Sequence, residues 1–295
     1  WGFVALAAAV LLMALTNGEY AVLQGTARLR RLASVTLWGT LGGLLISVPL
    51  FYWLREASIL PSIIAYAACC AAAAWALRDR TWPRVNVPAG EAARMGLGFV
   101  RLGAYMTAGS FVSIVASYAF SSWLNHTGGT GEVGLYQAGY TLVNKYTGLV
   151  LTALGMEYYP RLARVAGSRM RLRAMVGQEV VLCMVVMAPV VALLMALREP
   201  VVRLLYSGEF VAVLGMVSWC LVGTVFRALS WCMSFVILAK GDGRTFLATE
   251  TLSAAVGLAL NVVCYTRWGL DGLGMSFAAW YVVYTAIVAV VYFGR

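Results

Sequence analysis

The sequence predicts an all-α polytopic membrane protein, and three observations lead to that fold class. Hydrophobic residues make up 62% of the 295 residues, charged residues only 12%, and the mean hydropathy is +0.82. A soluble domain carries roughly 45–50% apolar and about 25% charged residues. The apolar residues also fall into long runs of about 20, the length of helix that crosses a bilayer. These runs do not alternate apolar with polar residues, so helices are predicted rather than barrel strands.

Nine such runs predict nine membrane spans. They cover residues 3–23, 35–54, 59–77, 99–123, 133–156, 177–197, 211–239, 246–265 and 272–293. The connections between them are short, except for 78–98, which is polar and holds two prolines. That segment is predicted to be a linker with a short interfacial helix at 89–97.

The basic residues predict the orientation of the spans. Sixteen of the 22 Lys and Arg residues lie in alternate loops or the C-terminal tail, against four in the other loops. Cytoplasmic loops carry an excess of Lys and Arg, so the richer loops and the C-terminus are predicted to be cytoplasmic. The net charge of +10 then reflects contact with anionic membrane lipid. Because the basic residues are dispersed over separate loops, no nucleic-acid partner is expected.

A weak internal repeat predicts the domain organisation. Residues 22–37 match 238–252, with Gly25 on Gly241 and Arg28 on Arg244, and the offset stays at 214 to 216 further along. If spans 1–3 match spans 7–9, the repeat unit is six helices, and the full fold has twelve, of which the first three are missing from this sequence. Parallel duplication of a helical bundle is typical of transporters. Residues 1–77 would be the remainder of an N-terminal lobe, 78–98 a cytoplasmic linker, and 99–295 a six-helix C-terminal lobe.

Two basic residues inside predicted spans are the main candidates for substrate binding. Lys145 is central in span 133–156, and Arg227 is near the middle of span 211–239. Intramembrane charges are costly and mark substrate paths or buried pairs. One interpretation is a salt bridge, for example with Glu19; the other is a cationic cavity for an anionic substrate. Asn144, beside Lys145, is a candidate to orient substrate hydroxyls, although membrane-buried Asn also joins helices.

The carboxylates lie mostly towards span ends. Glu157 and Glu250 fall near the predicted cytoplasmic ends of their helices, close to Arg161 and Arg244. These four residues are candidates for interfacial pairs or for a cytoplasmic gate of salt bridges. Glu19 lies deeper and is a candidate for coupling transport to an ion gradient. The sequence contains a single His, and its six Cys lie inside apolar runs. No metal site, cofactor or catalytic triad is therefore predicted.

Four stretches of the chain resemble a known family. They read GLYQAGYTLVNKYTGLVLTALGMEYYPRLARV (134–165), the preceding NHTGGTGEVG, ILAKGDGRTF (237–246) and GEYAVLQGTARLRRLA (18–33). They are similar to O-antigen translocases, the polysaccharide-transporter branch of the multidrug/oligosaccharidyl-lipid/polysaccharide exporter superfamily. The resemblance implies two six-helix lobes around a cationic cavity, a feature that Lys145 and Arg227 match by position.

The resemblance also implies an activity. Such proteins flip undecaprenyl-diphosphate-linked sugar repeat units across the bacterial inner membrane, so a lipid-linked oligosaccharide is the expected substrate and polysaccharide polymerase machinery an expected partner. Three alternatives stay open: a drug or cation antiporter of the same superfamily, a membrane-embedded enzyme of polysaccharide assembly, and a scaffold. An antiporter usually needs acidic residues deep in its cavity. An enzyme needs a positioned acid, base or metal ligand, and the sequence shows no motif for one.

Overall fold

The protein is described by a computed structural model that covers residues 2–26, 28–54, 59–78, 88–206 and 208–294. Every regular element in these ranges is helical. The elements are α1 (Gly2–Gly25), α2 (Leu29–Leu54), α3 (Ile59–Ala76), α4 (Ala89–Val165), α5 (Arg169–Leu205), a 3-10 turn (Gly208–Val213), α6 (Leu214–Ala239) and α7 (Gly243–Gly294). The predicted all-α membrane fold is therefore confirmed. Six described helical stretches are long and apolar enough to cross a membrane, and Leu60–Ala76 is a shorter apolar helix.

Two helices are each long enough for two spans. The apolar parts of α4 and α7 run over 70 and 52 residues, whereas one crossing needs about 20. Each helix is broken at one glycine with a positive φ, Gly129 (82°) and Gly269 (60°), a conformation that residues with a side chain rarely adopt. Divided at these glycines, the described residues form nine α-helical segments, whose positions follow the nine apolar runs.

The helices differ from the predicted spans mainly at their ends. α4 begins at Ala89, so residues 89–97 continue into the span instead of forming a separate interfacial helix. The rest of the predicted linker, residues 79–87, lies outside the described residues. α2 begins six residues before its span, and the 3-10 turn takes up the first residues of the predicted span 211–239. Polar residues such as Arg30 and Arg94 extend these helices beyond their apolar parts.

The chain forms two compact units, Trp1–Asn86 and Val87–Arg295. In the first unit, α3 packs on both α1 and α2, around Leu23, Leu32, Val35 and Ala74. In the second unit, α7 packs on α4 and α6, and α5 packs on α6. The largest buried cluster of the second unit joins Phe120, Leu124 and Val143 of α4 to Met216 of α6 and Phe277 of α7.

Several basic residues of the second unit lie at one end of its helices. Arg169 donates a hydrogen bond to the Phe293 carbonyl at 3.3 Å, and Arg244 donates to the Tyr105 hydroxyl at 3.4 Å. These contacts hold the α4–α5 turn, the start of α7 and its last turn at the same end. At the other end, the Gly128 backbone lies against the Tyr265 hydroxyl, beside the two helix breaks. Within this unit, the loops that were predicted to be cytoplasmic therefore share one end.

Candidate functional site

A cluster of polar side chains lies in the middle of the second unit. Arg227 of α6 donates a hydrogen bond from Nη1 to the Asn144 side-chain oxygen of α4. Asn144 is itself oriented, because its side-chain nitrogen donates to the Tyr140 carbonyl at 2.8 Å. The Arg227 guanidinium also lies 5.9 Å from the centre of the Tyr281 ring of α7. Three helices thus hold one half-buried cation in a fixed position.

Close packing of the helices explains why Arg227 reaches both neighbours. Gly223 precedes it by one turn on the same face of α6, and a Cβ there would lie 2.8 Å from the Ala278 backbone of α7. Gly139 has a similar role on α4, where a Cβ would lie 2.8 Å from Cε of Met216. Small residues let membrane helices approach closely, and here they place the arginine between α4 and α7.

Lys145 is the next residue after Asn144 and is therefore at the level of Arg227, since one residue advances a helix by about 1.5 Å. Its side chain is exposed on the second unit. Among the described residues, no carboxylate lies within ion-pair distance of either Lys145 or Arg227. The site thus carries two positive charges without a negative partner in the described part of the chain.

Lys145 belongs to a polar stripe along the second half of α4. The stripe consists of Gln137, Thr141, Lys145 and Thr152, which are all exposed and spaced by four or seven residues, so they share one helix face. The opposite face is apolar and buried, with Val143 and Leu151 in the core. A membrane-spanning helix with a polar face needs water, protein or a polar ligand on that side.

A second polar stripe lies on the first half of α4. It consists of four serines at spacings of three and four residues, Ser110, Ser113, Ser117 and Ser121. Gln137 joins the two stripes, because its side-chain nitrogen donates to the Ser121 hydroxyl at 3.3 Å. Sequence reasoning based on charge missed these residues, although their helical spacing could have revealed them.

The four candidates for a gate lie near the basic end of the second unit. Glu157 and Arg161 form an ion pair one turn apart on α4, with both side chains more than half exposed. Arg244 contacts Tyr105, while Glu250 accepts a hydrogen bond from the Tyr284 hydroxyl at 2.5 Å. The structure thus brings Glu157 to Arg161 and leaves Arg244 and Glu250 in separate contacts. A gating role for them stays a prediction.

Glu19 lies in the first unit, where it has its own cation. Its carboxylate is 3.0 Å from Nε of Arg78, at the end of α3. The coupling role of Glu19 stays a prediction. The described residues contain no group of three or more His, Cys, Asp or Glu that could hold a metal ion. All six cysteines are free thiols.

Comparison with known proteins relates this arrangement to transporters. The family described as polysaccharide biosynthesis protein matches residues 2–214. The lipid III flippases of Escherichia coli (strain K12) and Shigella flexneri are each 23% identical to this chain over 160 residues, or 53% of its length. That match spans 37% of the length of these curated relatives.

Solved structures show the fold. A multidrug resistance MATE family transporter of the MOP superfamily, in an outward-facing conformation, superposes with a TM-score of 0.83 at 15% identity, covering 99% of this chain and 68% of the transporter. A MOP superfamily transporter from Pyrococcus furiosus, noted for the reverse polarity of its binding pocket, gives 0.83 at 13% identity, covering 98% and 67%. The chain therefore has a MATE-like transporter fold. These relatives are a flippase and transporters rather than enzymes.

Proposed function

We propose that this chain, which belongs to the polysaccharide biosynthesis protein family, flips undecaprenyl-diphosphate-linked oligosaccharides across the bacterial inner membrane by alternating access. The family is one of polysaccharide biosynthesis, and the curated relatives are lipid III flippases. The MATE-like fold supports transport by exchange between two open states. O-antigen repeat units or related surface polysaccharides are the substrates that fit this family.

The observation that carries the proposal is the uncompensated positive charge of Arg227 and Lys145 in the middle of two spans. A charged side chain in the bilayer centre costs about 2.5–3.5 kcal/mol on insertion scales. Water or an anion has to offset that cost, since no carboxylate pairs with either residue in the described part of the chain. A diphosphate supplies several anionic oxygens, and guanidinium and ammonium groups bind these with charge-assisted hydrogen bonds.

The two cations suit different parts of this task. Arg227 is held by Asn144 and Tyr281, so it is preorganised to bind a phosphate at a fixed point. Lys145 is exposed and has a flexible stem, so it can follow a phosphate that moves along the polar stripe of α4. The polar stripes would line the path of the headgroup, while the prenyl tail would stay in the bilayer.

The charge at the site also separates this proposal from a cation antiporter. A transporter of cations gains binding energy from deep carboxylates, whereas the residues at the middle of the second unit are basic. Orientation follows from the same proposal: the basic end of the second unit, with the C-terminus, would face the cytoplasm, where the lipid-linked unit is built. Polymerase machinery would then receive the flipped unit on the outer side.

Reconstituted vesicles provide the test. The full-length protein, including the helices that are predicted to be missing from this sequence, is incorporated into liposomes together with a labelled undecaprenyl-diphosphate oligosaccharide. The fraction of label reached by an outside reagent is followed over time. We expect the wild-type protein to accelerate exchange and the double variant Lys145→Ala/Arg227→Ala to lose about tenfold or more of that rate. The matched control, Arg203→Ala/Lys240→Ala, removes the same charge from the two ends of the second unit and should flip normally.

Two outcomes would contradict the proposal. The first is undiminished flipping in the Lys145→Ala/Arg227→Ala variant when its folding and insertion match the wild type. The second is gradient-driven export of an organic cation by a chain that does not move the labelled lipid, which would favour the antiporter.

A further inference from the structure

A small cavity lies beside the cation site, between both halves of α4 and both halves of α7. Its volume is about 120 Å³. Its lining includes Ser113, Ser117, Tyr140, Gly257, Asn261 and Trp280. Pockets for drug-sized ligands measure roughly 300–1,000 Å³, so this smaller cavity suits one small chemical group rather than a longer chain.

Two serine hydroxyls in this cavity lack a partner. Many Ser and Thr residues in these helices donate to a carbonyl one turn earlier, for example Thr147 to Val143 at 2.7 Å and Thr224 to Cys220 at 2.9 Å. Ser113 and Ser117 make no such bond, and in the described part of the chain neither has another hydrogen-bond partner. Ser113 is half-buried and Ser117 is exposed, so both hydroxyls are accessible to a polar ligand that enters the cavity.

Asn261 adds an oriented amide. Its side chain makes a hydrogen bond with the Ser276 hydroxyl, which also contacts the Leu273 carbonyl at 2.9 Å, so the amide plane is fixed. The end of the amide that faces away from Ser276 has no hydrogen-bond partner among the described residues. Three polar groups on α4 and α7 thus line one cavity with free hydrogen-bonding capacity.

Aromatic rings form the rest of the wall. The Trp280 indole is fixed at its nitrogen, which donates to the Ser253 hydroxyl at 2.9 Å. It packs directly on Gly257, where a Cβ would lie 2.8 Å from Cε2 of the indole. The Tyr140 ring is held edge-on against Phe277, with ring centroids 5.9 Å apart. Rigid aromatic surfaces next to free hydroxyl and amide groups match the two sides of a sugar ring, which presents C–H groups on its faces and hydroxyls at its rim.

The wall of the cavity is in contact with the residues of the cation site. Tyr140 lines the cavity, and its carbonyl accepts the hydrogen bond that orients Asn144. On α7, the Trp280 ring lies 5.1 Å from the Tyr281 ring, which in turn lies under Arg227. Two residues of the cavity wall therefore adjoin the residues that hold Arg227.

We propose that this cavity binds the sugar attached directly to the diphosphate of the substrate. The inference rests on the proposed function, because it takes Arg227 as the phosphate contact. Ser113, Ser117 and Asn261 bind the sugar hydroxyl or acetamido groups, and Trp280 and Tyr140 contact its apolar face. A hydrocarbon tail fits this cavity poorly because three polar groups would stay unpaired. Selection of the first sugar is thus located in the second unit.

The test compares the affinity of the purified full chain for two kinds of probe. One is bare undecaprenyl diphosphate; the others are undecaprenyl diphosphates that each carry one hexose, one N-acetylhexosamine or one 6-deoxyhexose. We expect at least one sugar to raise the affinity over the bare carrier. The variant Ser113→Ala/Ser117→Ala should lose about threefold to tenfold in affinity for that probe and keep the wild-type affinity for the bare carrier.

This variant is well suited because it removes no hydrogen bond from the folded protein. The matched control is Ser234→Ala, which deletes a hydroxyl that donates to the Trp231 carbonyl at 3.0 Å away from the cavity, and it should bind every probe as the wild type does. If no sugar adds affinity, or if the double variant keeps the whole gain, the sugar subsite is wrong while diphosphate binding at Arg227 still stands. If the bare carrier itself fails to bind, both proposals fail.

Discussion

The two units of the chain differ in the pairing of their central charged side chains and in the lining of their cavities. In the first unit, Glu19 is paired with Arg78, and a cavity of about 550 Å³ is lined mainly by apolar side chains. In the second unit, Arg227 and Lys145 have no described carboxylate, and the small cavity beside them is lined by free hydroxyls and an amide. The first arrangement is complete by itself, whereas the second is satisfied only by water or a ligand. We therefore propose that a charged sugar-bearing headgroup is recognised mainly by the second unit.

The largest expected effect comes from removal of the fixed cation. Arg227→Ala should weaken binding of bare undecaprenyl diphosphate by about 10- to 100-fold, since a hydrogen bond to a charged group contributes roughly 1.5–3 kcal/mol. Lys145→Ala should lose less, because its exposed side chain is not held in one position. Equilibrium binding of the labelled lipid to purified protein measures both. Equal, small losses in the two variants would show that neither cation contacts the diphosphate.

Conservative substitutions test how strictly each of the two cations depends on its geometry. Arg227→Lys keeps the charge but replaces the planar guanidinium that bonds Asn144 and lies against Tyr281, so flipping should fall about fivefold or more. Lys145→Arg, at an exposed position without such contacts, should stay within about twofold of the wild-type rate. The vesicle assay measures both rates. The reverse order would mean that Lys145 has the more demanding geometry.

Part of this site could be predicted from the sequence. Lys145 and Arg227 are conspicuous as basic residues in apolar runs, and the all-α membrane fold follows from composition and run length. The contact between Arg227 and Asn144 joins residues 83 positions apart, and no local pattern specifies it. The partner of Glu19 could not be predicted from the sequence either, because it depends on how α1 packs on α3.

The serine stripe and the two glycine breaks have recognisable sequence patterns, but the pattern of charges does not reveal them. The serines at 110, 113, 117 and 121 repeat at helical spacing, but uncharged hydroxyls usually bond to their own helix, so the pattern did not single them out. The breaks at Gly129 and Gly269 lie where loops were expected. Their single-residue form depends on a backbone conformation that glycine permits and hydrophobicity does not encode.

A smaller effect is expected at the break in α7, which returns Trp280 and Tyr281 to the second unit's site. Gly269→Ala should lower the free energy of unfolding by about 1–3 kcal/mol, because a φ of 60° with a ψ of −141° strains any residue with a Cβ. Gly177→Ala is the control, since Gly177 is inside α5 with open space around it, and alanine favours helix. Thermal unfolding in detergent compares them. Equal melting temperatures for the two variants would contradict a strained backbone at Gly269.

The smallest effect is expected in the first unit, at the pair of Glu19 and Arg78. The Arg78 side chain is 58% exposed and that of Glu19 28%, so the pair should contribute less than about 1 kcal/mol to folding. A double-mutant cycle with Glu19→Gln and Arg78→Gln, followed by thermal unfolding, measures this coupling. Flipping should stay within about twofold of wild type in all three variants, because the pair neutralises itself and leaves no charge for a substrate. If Glu19 instead has the coupling role predicted from its depth in the span, Glu19→Gln would abolish the response of flipping to an imposed ion gradient. Arg78→Gln would leave that response intact. Flipping measured with and without the gradient therefore decides whether the first unit takes part in the chemistry of transport.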